Sequence, residues 1–379
     1  MKIAHIADPH LGYRAYNRIT SQGLNRREAD VFQAFRQALA RAGEIGVDLV
    51  LIAGDLFHVV RPSNLTIQQT FREFIAFRAK SDAPIVIIGG NHDSPRSADT
   101  GCILDLFTNL PGIHVVHGKY EQVYLEKLDT SVFCLCHRAL PEISNLKIEP
   151  DPKSKHNVLM VHGTLEGIIR HAYDLYEIRR ADVISDAWDY IGFGHYHIFE
   201  ELAPNAYYSG SLEYTSTNIW SETQRPKGFI EYDLAERRLV KFHEVETRDV
   251  IDLRPIDAAD VSVDDLNKMI QNRVGGIGGG YENKVVRLVV ENLHRSVQAD
   301  LDYSFIRQVR ADALHFELVL KPPARDGRAK ASGDSGVSRP LEEEWDEFAK
   351  CYDLPPGVER ERFVDLGRDY LIKQMAEQA

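Results

Sequence analysis

Cysteine is scarce in this chain, with four residues among 379. Cys134 and Cys136 alternate within one apolar run, so both would face the same side of a strand. With no second pair beside them, they are better read as small core residues than as a zinc site. Scattered cysteines fit a reducing compartment, and we expect a cytoplasmic protein.

Long apolar runs are also missing. The longest are of strand length, far short of the roughly 20 residues that cross a bilayer, and we expect no membrane partner. The first residues already read as a strand that leads to a candidate metal ligand. We therefore expect no signal or transit peptide.

A surplus of positive charge is absent as well, since 45 Lys and Arg stand against 57 Asp and Glu, a net charge of −12. Such a balance argues against a nucleic-acid partner. Residues 340–379, however, hold 11 acids and 5 bases, so −6 of the −12 lies in the tail. Bound divalent cations would also reverse the local charge at a metal site. Net charge therefore leaves the question open.

Five short apolar runs are present, and each ends in residues of metal-binding type. The runs are aliphatic and short, which is typical of strands buried on both faces. In open α/β sheets, ligands bind beyond the carboxyl ends of such strands. The residues that follow the runs are Asp8 and His10, Asp55, Asn91, His162, and His195 with His197.

These seven side chains are too many for one ordinary metal ion and about right for two. Mixed imidazole and carboxylate donors favour Mn, Fe or Zn over Mg. Asp55 has two oxygens with which to bridge the ions, and Asn91 adds a donor without a charge that would repel phosphate. Two ions about 4 Å apart can activate water for in-line attack at phosphorus. The pattern therefore predicts a two-metal phosphoesterase.

Strand and helix patterns alternate over residues 1–250, and the helix at 65–77 is apolar around much of its girth. Short strands at 207–211, 228–232 and 239–245 are expected to close a second sheet. The predicted fold class is α/β, a two-sheet β-sandwich flanked by helices.

The organisation changes after residue 250. Residues 251–321 read strand, helix, strand, helix, strand, which predicts a small α/β capping domain. Residues 322–339 are rich in Pro, Gly and Ser and predict a flexible linker. Residues 340–379 carry aromatic residues at helical spacing, which predicts a tethered helical segment that docks on a partner. The alternative is that this segment packs back on its own chain.

The order of the motifs resembles the calcineurin-like metallophosphoesterase superfamily. The motifs are Asp8-x-His10, Gly54-Asp55, Gly90-Asn91-His92-Asp93, His162-Gly163 and Gly194-His195-x-His197. Within it, the segments at 8–12, 54–58 with 61–63, and 208–213 resemble the SbcD-type DNA double-strand-break repair nucleases. The likeness covers residues 1–250 closely and the remainder only in layout.

The resemblance implies two Mn ions per chain. One would be held by Asp8, His10, Asp55 and His197, and the other by Asp55, Asn91, His162 and His195.

The resemblance also implies roles for residues around the metals. His92 would lie beside the scissile phosphate and protonate the leaving oxygen or stabilise charge, and Asp93 would orient it. His58 would assist exonuclease action. Tyr13 and Arg61 would contact DNA.

The activity implied by the resemblance is a Mn-dependent 3′-to-5′ exonuclease on duplex ends that also cuts single strands and hairpins. The implied partners are DNA, a coiled-coil ABC-type ATPase bound through 340–379, and a second copy bound through helices near 63–80 and 98–110. The apolar helix can equally belong to the core.

Two other functions compete with this interpretation. One is a phosphoesterase of the same superfamily that acts on a phosphoprotein, cyclic nucleotide or phospholipid, and the other is a non-catalytic scaffold. Protein phosphatases carry Gly-Asp-x-x-Asp-Arg-Gly, whereas residues 54–58 read Gly-Asp-Leu-Phe-His. The intact ligand set argues against a scaffold. The histidines expected to be structural are His5, His114, His117, His137, His171, His243 and His315.

Overall fold

A computed structural model describes residues 1–95, 100–168, 176–323, 345–346, 348–350, 352 and 359–377. The chain divides into two compact units, Met1–Pro322 and Pro323–Ala379. Every helix of the described residues is too short or too polar to cross a membrane. Of the predicted linker at 322–339, only residues 322–323 lie within the described ranges. His171, which was expected to be structural, lies outside them.

The strands and helices follow the expected alternation. The strands are β1 (Lys2–Ile6), β2 (Leu49–Ile52), β3 (Ile85–Ile88), β4 (Ile113–Val116), β5 (Tyr120–Leu125), β6 (Thr130–Leu135), β7 (His156–His162), β8 (Thr164–Leu165), β9 (Glu177–Ile178), β10 (Tyr190–Gly194), β11 (Glu200–Ala203), β12 (Ala206–Tyr208), β13 (Gly228–Asp233), β14 (Arg238–Glu244), β15 (Val250–Asp257), β16 (Val285–Glu291) and β17 (His315–Leu320). The helices are α1 (Arg26–Ile45), α2 (Asn64–Arg78), α3 (Arg180–Val183), α4 (Val263–Gly275), α5 (Arg295–Gln298), α6 (Tyr303–Asp312) and α7 (Arg360–Glu377), with 3₁₀ turns at Ile103–Asn109, Glu126–Leu128, His137–Asn145 and Ile219–Glu222.

Two six-stranded sheets form the body of the first unit. Their orders are β14-β13-β1-β2-β3-β4 and β11-β12-β10-β7-β6-β5. Strands β1 to β4 run parallel in the first sheet, and β6, β7, β10 and β12 run parallel in the second. Parallel strands place their carboxyl ends at one edge, and this edge is where the candidate ligands follow.

The two sheets pack face to face, which confirms the predicted sandwich. Ile3 and Ala7 of the first sheet share a buried apolar cluster with Met160 of the second. Ala4 and Ile6 point the other way, into a cluster with the buried faces of α1 and α2. Strand β1 is thus covered on both sides, which explains why apolar residues point to both of its faces.

Helix α1 is placed on the outer face of the first sheet by local signals at both ends. The side chain of Asn25 accepts hydrogen bonds from the backbone N–H groups of Arg27 and Glu28, as helix N-caps do. Gly46 ends the helix with a left-handed φ of 66°, a conformation that favours glycine. The buried stripe, which includes Phe35, packs on the sheet.

The sequence-based assignment of the last strands of the body is wrong in part. Of the three short strands expected to close the second sheet, only β12 joins it, parallel to β10. Strand β13 pairs antiparallel with β1 of the first sheet, with Ala4 opposite Glu231, and β14 follows at its edge. An apolar pattern predicts that a strand forms but does not specify its neighbour. As a result, β1 is an interior strand.

Residues 250–320 form a third layer with the expected element order. Strands β15, β16 and β17 make a parallel sheet, and α4 and α6 cover it through a separate apolar cluster. The side chain of Ser262 caps α4 at its start. A capping role for this layer stays a prediction.

His5 lies between the two sheets of the body. Its Nδ1 is 2.8 Å from the hydroxyl oxygen of Tyr190, and its side chain is fully buried. Because burial disfavours the charged imidazolium, the pKa of His5 is lowered to about 3.

We expect His5 to make the free energy of unfolding fall as the pH drops below about 6.5, the ordinary histidine pKa. The unfolded chain then binds a proton that folded His5 does not, which costs up to about 1.4 kcal/mol per pH unit. Urea unfolding at several pH values should show a shallower slope for His5→Gln. His294→Gln, at an exposed site, is the control. An unchanged slope for His5→Gln would contradict the assignment.

Candidate metal centre

The backbone turns sharply at four of the candidate ligands. Asp8, His10, Asp55 and His195 have φ values of 50°, 48°, 49° and 97°, in the left-handed region that residues with a Cβ rarely adopt. Each such residue costs on the order of 1–3 kcal/mol, and such strain clusters at functional sites. The turns redirect the chain immediately after β1, β2 and β10.

The seven predicted ligands converge at the carboxyl ends of five strands from both sheets. Asp8, His10, Asp55 and His162 are almost fully buried. The other three, Asn91, His195 and His197, are half-buried. The cluster is therefore rooted in the core and open on one side.

The first group of donors contains Asp8, His10 and His197, whose ligand atoms lie within 4.8 Å of one another. His10 Nε2 is 3.0 Å from His197 Nε2 and 3.8 Å from Asp55 Oδ2. His197 Nε2 is 4.0 Å from Asp8 Oδ1. These four side chains are those expected to hold one ion.

The second group contains Asp55, His162 and His195, again within 4.8 Å. Asn91 Oδ1 lies 3.0 Å from His162 Nε2 and 2.9 Å from His195 Nδ1. His162 Nε2 is 3.4 Å from Asp55 Oδ2. The same Asp55 oxygen, Oδ2, therefore faces both groups, so a single oxygen of this carboxylate is placed to bridge two ions.

The spacing and chemistry of these donors fit metal ions. Bonds of about 2.1 Å that meet at about a right angle place two nitrogens about 3.0 Å apart, which matches His10 and His197. The electrostatic surroundings of His162 also favour a cation. Burial disfavours its charge, but the carboxylates of Asp55 and Asp8 raise the pKa of His162 to about 10. The cluster thus favours positive charge at His162, which a bound cation would supply in place of the proton.

Asp55 is the most strongly stabilised anion of the cluster. Burial opposes its charge, yet the neighbouring His162 and His10 hold the pKa of this carboxyl well below its usual value. Its other oxygen, Oδ1, accepts a hydrogen bond of 2.8 Å from the backbone N–H of His92. Asp55 is therefore charged and fixed in orientation.

His92 and His58 lie directly beside the first group. Their rings stack with centroids 5.0 Å apart, and each meets the edge of the His10 ring, at 4.8 and 5.3 Å. The backbone oxygen of His58 is 2.8 Å from His92 Nδ1. Burial and His92 lower the pKa of His58 to about 4, so His58 is neutral at pH values near 7.

The two predicted DNA contacts differ in position. The ring of Tyr13 meets the ring of His58 edge-on at 5.0 Å, so Tyr13 adjoins the site. Arg61 is exposed. Contact of either residue with DNA stays a prediction.

Asp93 holds the loops that carry two ligands. Its carboxylate accepts hydrogen bonds of 2.8 Å from the backbone N–H groups of Leu56 and Gly90. It thereby links the residue after Asp55 to the residue before Asn91. Asp93 was expected to orient the ring of His92, whereas the described contact to that ring comes from His58. Burial raises the pKa of Asp93 to about 7.

Two glycines allow the strand ends to approach this closely. A Cβ at Gly54 would overlap the imidazole of His162, and a Cβ at Gly90 would overlap the carboxylate of Asp55. Gly54 also has a φ of 87°. The Gly-Asp and Gly-Asn pairs are therefore steric requirements of the cluster.

Sequence reasoning missed three residues that contact the cluster. Glu222 and Lys227 are buried, and His197 Nδ1 is 3.6 Å from Glu222 Oε1. Burial opposes the charge of Glu222, but Lys227 and His197 hold its pKa at about 2. The ring of His137, expected to be structural, is 6.2 and 6.1 Å from the rings of His162 and His195. No strand-end pattern marks any of the three.

A two-sheet sandwich whose strand ends bring together two donor groups around one shared carboxylate defines a metallophosphoesterase. The family model for calcineurin-like phosphoesterases matches residues 1–199, more than half of the chain. This chain belongs to the calcineurin-like phosphoesterase family.

Several curated relatives share the name DNA double-strand break repair protein Mre11. The protein of Archaeoglobus fulgidus is 30% identical over 305 residues, which cover 73% of this chain and 65% of the relative. That of Methanocaldococcus jannaschii is 27% identical over 263 residues, 68% of this chain and 66% of the relative. That of Thermoplasma acidophilum is 29% identical over 232 residues, which cover 56% of this chain and 57% of the relative. The chain thus spans 57–66% of the length of these relatives.

Proposed function

We propose that this chain is a metal-dependent DNA nuclease of double-strand break repair, with exonuclease activity on duplex ends, in the 3′-to-5′ direction, and endonuclease activity on single strands and hairpins. The observation that carries the proposal is the Asp55 carboxylate, which faces two groups of metal-ligand type. The names of the relatives support DNA as the substrate. Imidazole and carboxylate donors favour Mn over Mg, so we propose two Mn ions per chain.

In the proposed mechanism the seven side chains hold the ions, and His92 handles the proton of the leaving group. Two bound ions would activate a water molecule and neutralise charge on the phosphate. Because the backbone oxygen of His58 can only accept, His92 Nδ1 carries a hydrogen. His92 Nε2 can give a proton to the leaving oxygen only from the imidazolium form, which carries a hydrogen on both nitrogens; the ring is left neutral with its hydrogen on Nδ1. The stacked ring of His58 fixes this orientation.

We expect purified protein with Mn to release nucleotides from end-labelled duplex DNA. His92→Ala should be slower by about 10²–10⁴-fold, the usual contribution of general acid–base catalysis. His117→Ala, which removes a histidine paired with Asp105 at 2.7 Å, is the matched control and should retain the rate.

Three outcomes of this assay would overturn the proposal or its mechanism. Turnover of a cyclic nucleotide or phosphopeptide without DNA cleavage favours the rival phosphoesterase. Metal binding without hydrolysis of any of these substrates favours the scaffold. DNA cleavage by His92→Ala at the wild-type rate refutes the role of His92.

The layer at residues 250–320 supports a role in admitting DNA. Arg18 donates hydrogen bonds to the backbone oxygens of Arg310, Ala311 and Ala313. The Tyr16 ring stacks on His315 at 4.1 Å. The segment that follows the ligand His10 is therefore in contact with this layer. This contact supports a position of the layer near the site, which a cap needs.

The exposed apolar side of α2 and of the adjoining 3₁₀ turn supports a homodimer. Leu65, Ile75 and Leu106 are 38%, 52% and 43% exposed, whereas Phe74 and Phe107 face the core. Large apolar side chains left exposed on neighbouring elements are a feature of many interfaces. Residues 98–99 of the expected second helix lie outside the described ranges.

We expect Ile75→Glu to convert the wild-type dimer to a monomer, because a carboxylate would be buried without a partner. Sedimentation equilibrium measures the mass. Tyr124→Glu, at a site 51% exposed on β5, should remain a dimer. A monomeric wild type would refute the interface.

The second unit supports docking on a coiled-coil ABC-type ATPase. The Trp345 ring packs on Phe363 at 5.3 Å, and its Nε1 donates to the backbone oxygen of Val364 at 2.9 Å. Leu366 and Tyr370 of α7 remain 57% and 66% exposed. The aromatic residues thus hold the described pieces of this unit together and leave an apolar surface for a partner.

We expect truncation after residue 339, or Leu366→Asp, to abolish co-purification with such an ATPase. Both changes remove the exposed apolar contact and should leave Mn-dependent hydrolysis intact. Glu361→Ala, an exposed change on the same helix, should retain association. Undiminished association of the truncated chain would refute the docking role.

A further inference from the structure

Glu222 and Lys227 form a buried ion pair behind the ligand His197. Lys227 is 4% exposed and Glu222 3%. Lys227 Nζ forms an ion pair with Glu222 Oε2 and donates to the backbone oxygen of His197 at 2.7 Å and to Ser211 Oγ at 2.9 Å. The ammonium group therefore fixes the carboxylate and the His197 backbone together.

The other oxygen of Glu222 faces the outer nitrogen of His197. Glu222 Oε1 and His197 Nδ1 are 3.6 Å apart, and among the described residues both are buried without a hydrogen-bond partner. Buried polar atoms are nearly always paired, so these two atoms are each other's natural partners. The Nε2 of the same ring faces His10 and Asp8.

We propose that Glu222, held by Lys227, is a positioning residue that makes His197 a stronger metal ligand. Its carboxylate accepts the Nδ1 hydrogen of His197, which leaves the Nε2 lone pair for the ion shared with His10 and Asp8. A carboxylate behind a ligand histidine fixes the tautomer and the ring, and it makes the imidazole more basic. The inference rests on the proposed metal site.

The ligand histidines differ in the partner behind them. His162 Nδ1 contacts the backbone oxygen of Ala53 at 2.8 Å, and His10 Nδ1 is 3.4 Å from His58 Nδ1. Within the described part of the chain, of the three ligand histidines His10, His162 and His197, only His197 has a carboxylate facing its Nδ1. The effect of Glu222 should therefore be confined to one of the two ions.

Glu222→Gln tests this proposal. The amide oxygen must stay with the Lys227 ammonium, so the amide N–H₂ would face His197 Nδ1. The ring is then driven to carry its hydrogen on Nε2, where it cannot bind a cation. Calorimetric titration of the full chain with Mn should show one affinity weakened about 10–100-fold and the other unchanged. Nitrogen-15 NMR of the histidines should show the changed tautomer.

Two further variants distinguish loss of the Glu222 carboxylate from a general loss of structure. Glu222→Leu with Lys227→Met removes both buried charges at once, which proteins often tolerate, and should weaken the same Mn affinity. Glu231→Gln alters another buried pair, with His243 at 2.7 Å, on strand β13, which carries none of the proposed ligands, and should change neither affinity. Thermal unfolding in EDTA reports whether each variant is folded.

The outcomes separate this inference from the proposed function. Absence of Mn binding by the wild type would refute the metal site itself. Wild-type binding of two ions, with equal affinities in folded Glu222→Gln and in the double variant, would refute the role of Glu222 alone. If the affinities for both ions were weakened equally, Glu222 would have a general structural role, and this result would also overturn the inference.

Discussion

The contact on which the structure depends is the approach of one carboxylate, that of Asp55, to histidines from both sheets. His10 comes from the first sheet and His162 from the second, and their Nε2 atoms lie 3.8 and 3.4 Å from Asp55 Oδ2. An anion in a fully buried position is costly unless cations face it. The close packing of the sheets, made possible by Gly54 and Gly90, brings these partners together.

The sandwich explains why strained backbone and buried charge persist at this edge. Left-handed turns at Asp8, Asp55 and His195 are held by hydrogen bonds between loops, such as those from the His195 N–H to Asp8. Bound cations would offset the remaining repulsion between donors. The rigid strands then fix the site, and the partly exposed residues admit a substrate.

Much of the fold was predictable, because strands buried on both faces have continuous apolar sequences and end in distinctive residues. Cys134 and Cys136 are fully buried core residues, as expected. The neighbour of β13 was not predictable, since pairing depends on tertiary packing. The contact between Glu222 and His197 could not be predicted either, because Glu222 lies in a 3₁₀ turn with no recognisable sequence motif.

The most direct measurement is anomalous scattering at the manganese edge from crystals soaked in Mn. The account predicts two peaks, one on each side of the Asp55 carboxylate. One should lie beside His10 and His197, and the other beside His162 and His195. Absence of both peaks at saturating Mn, or a single peak remote from Asp55, would contradict it.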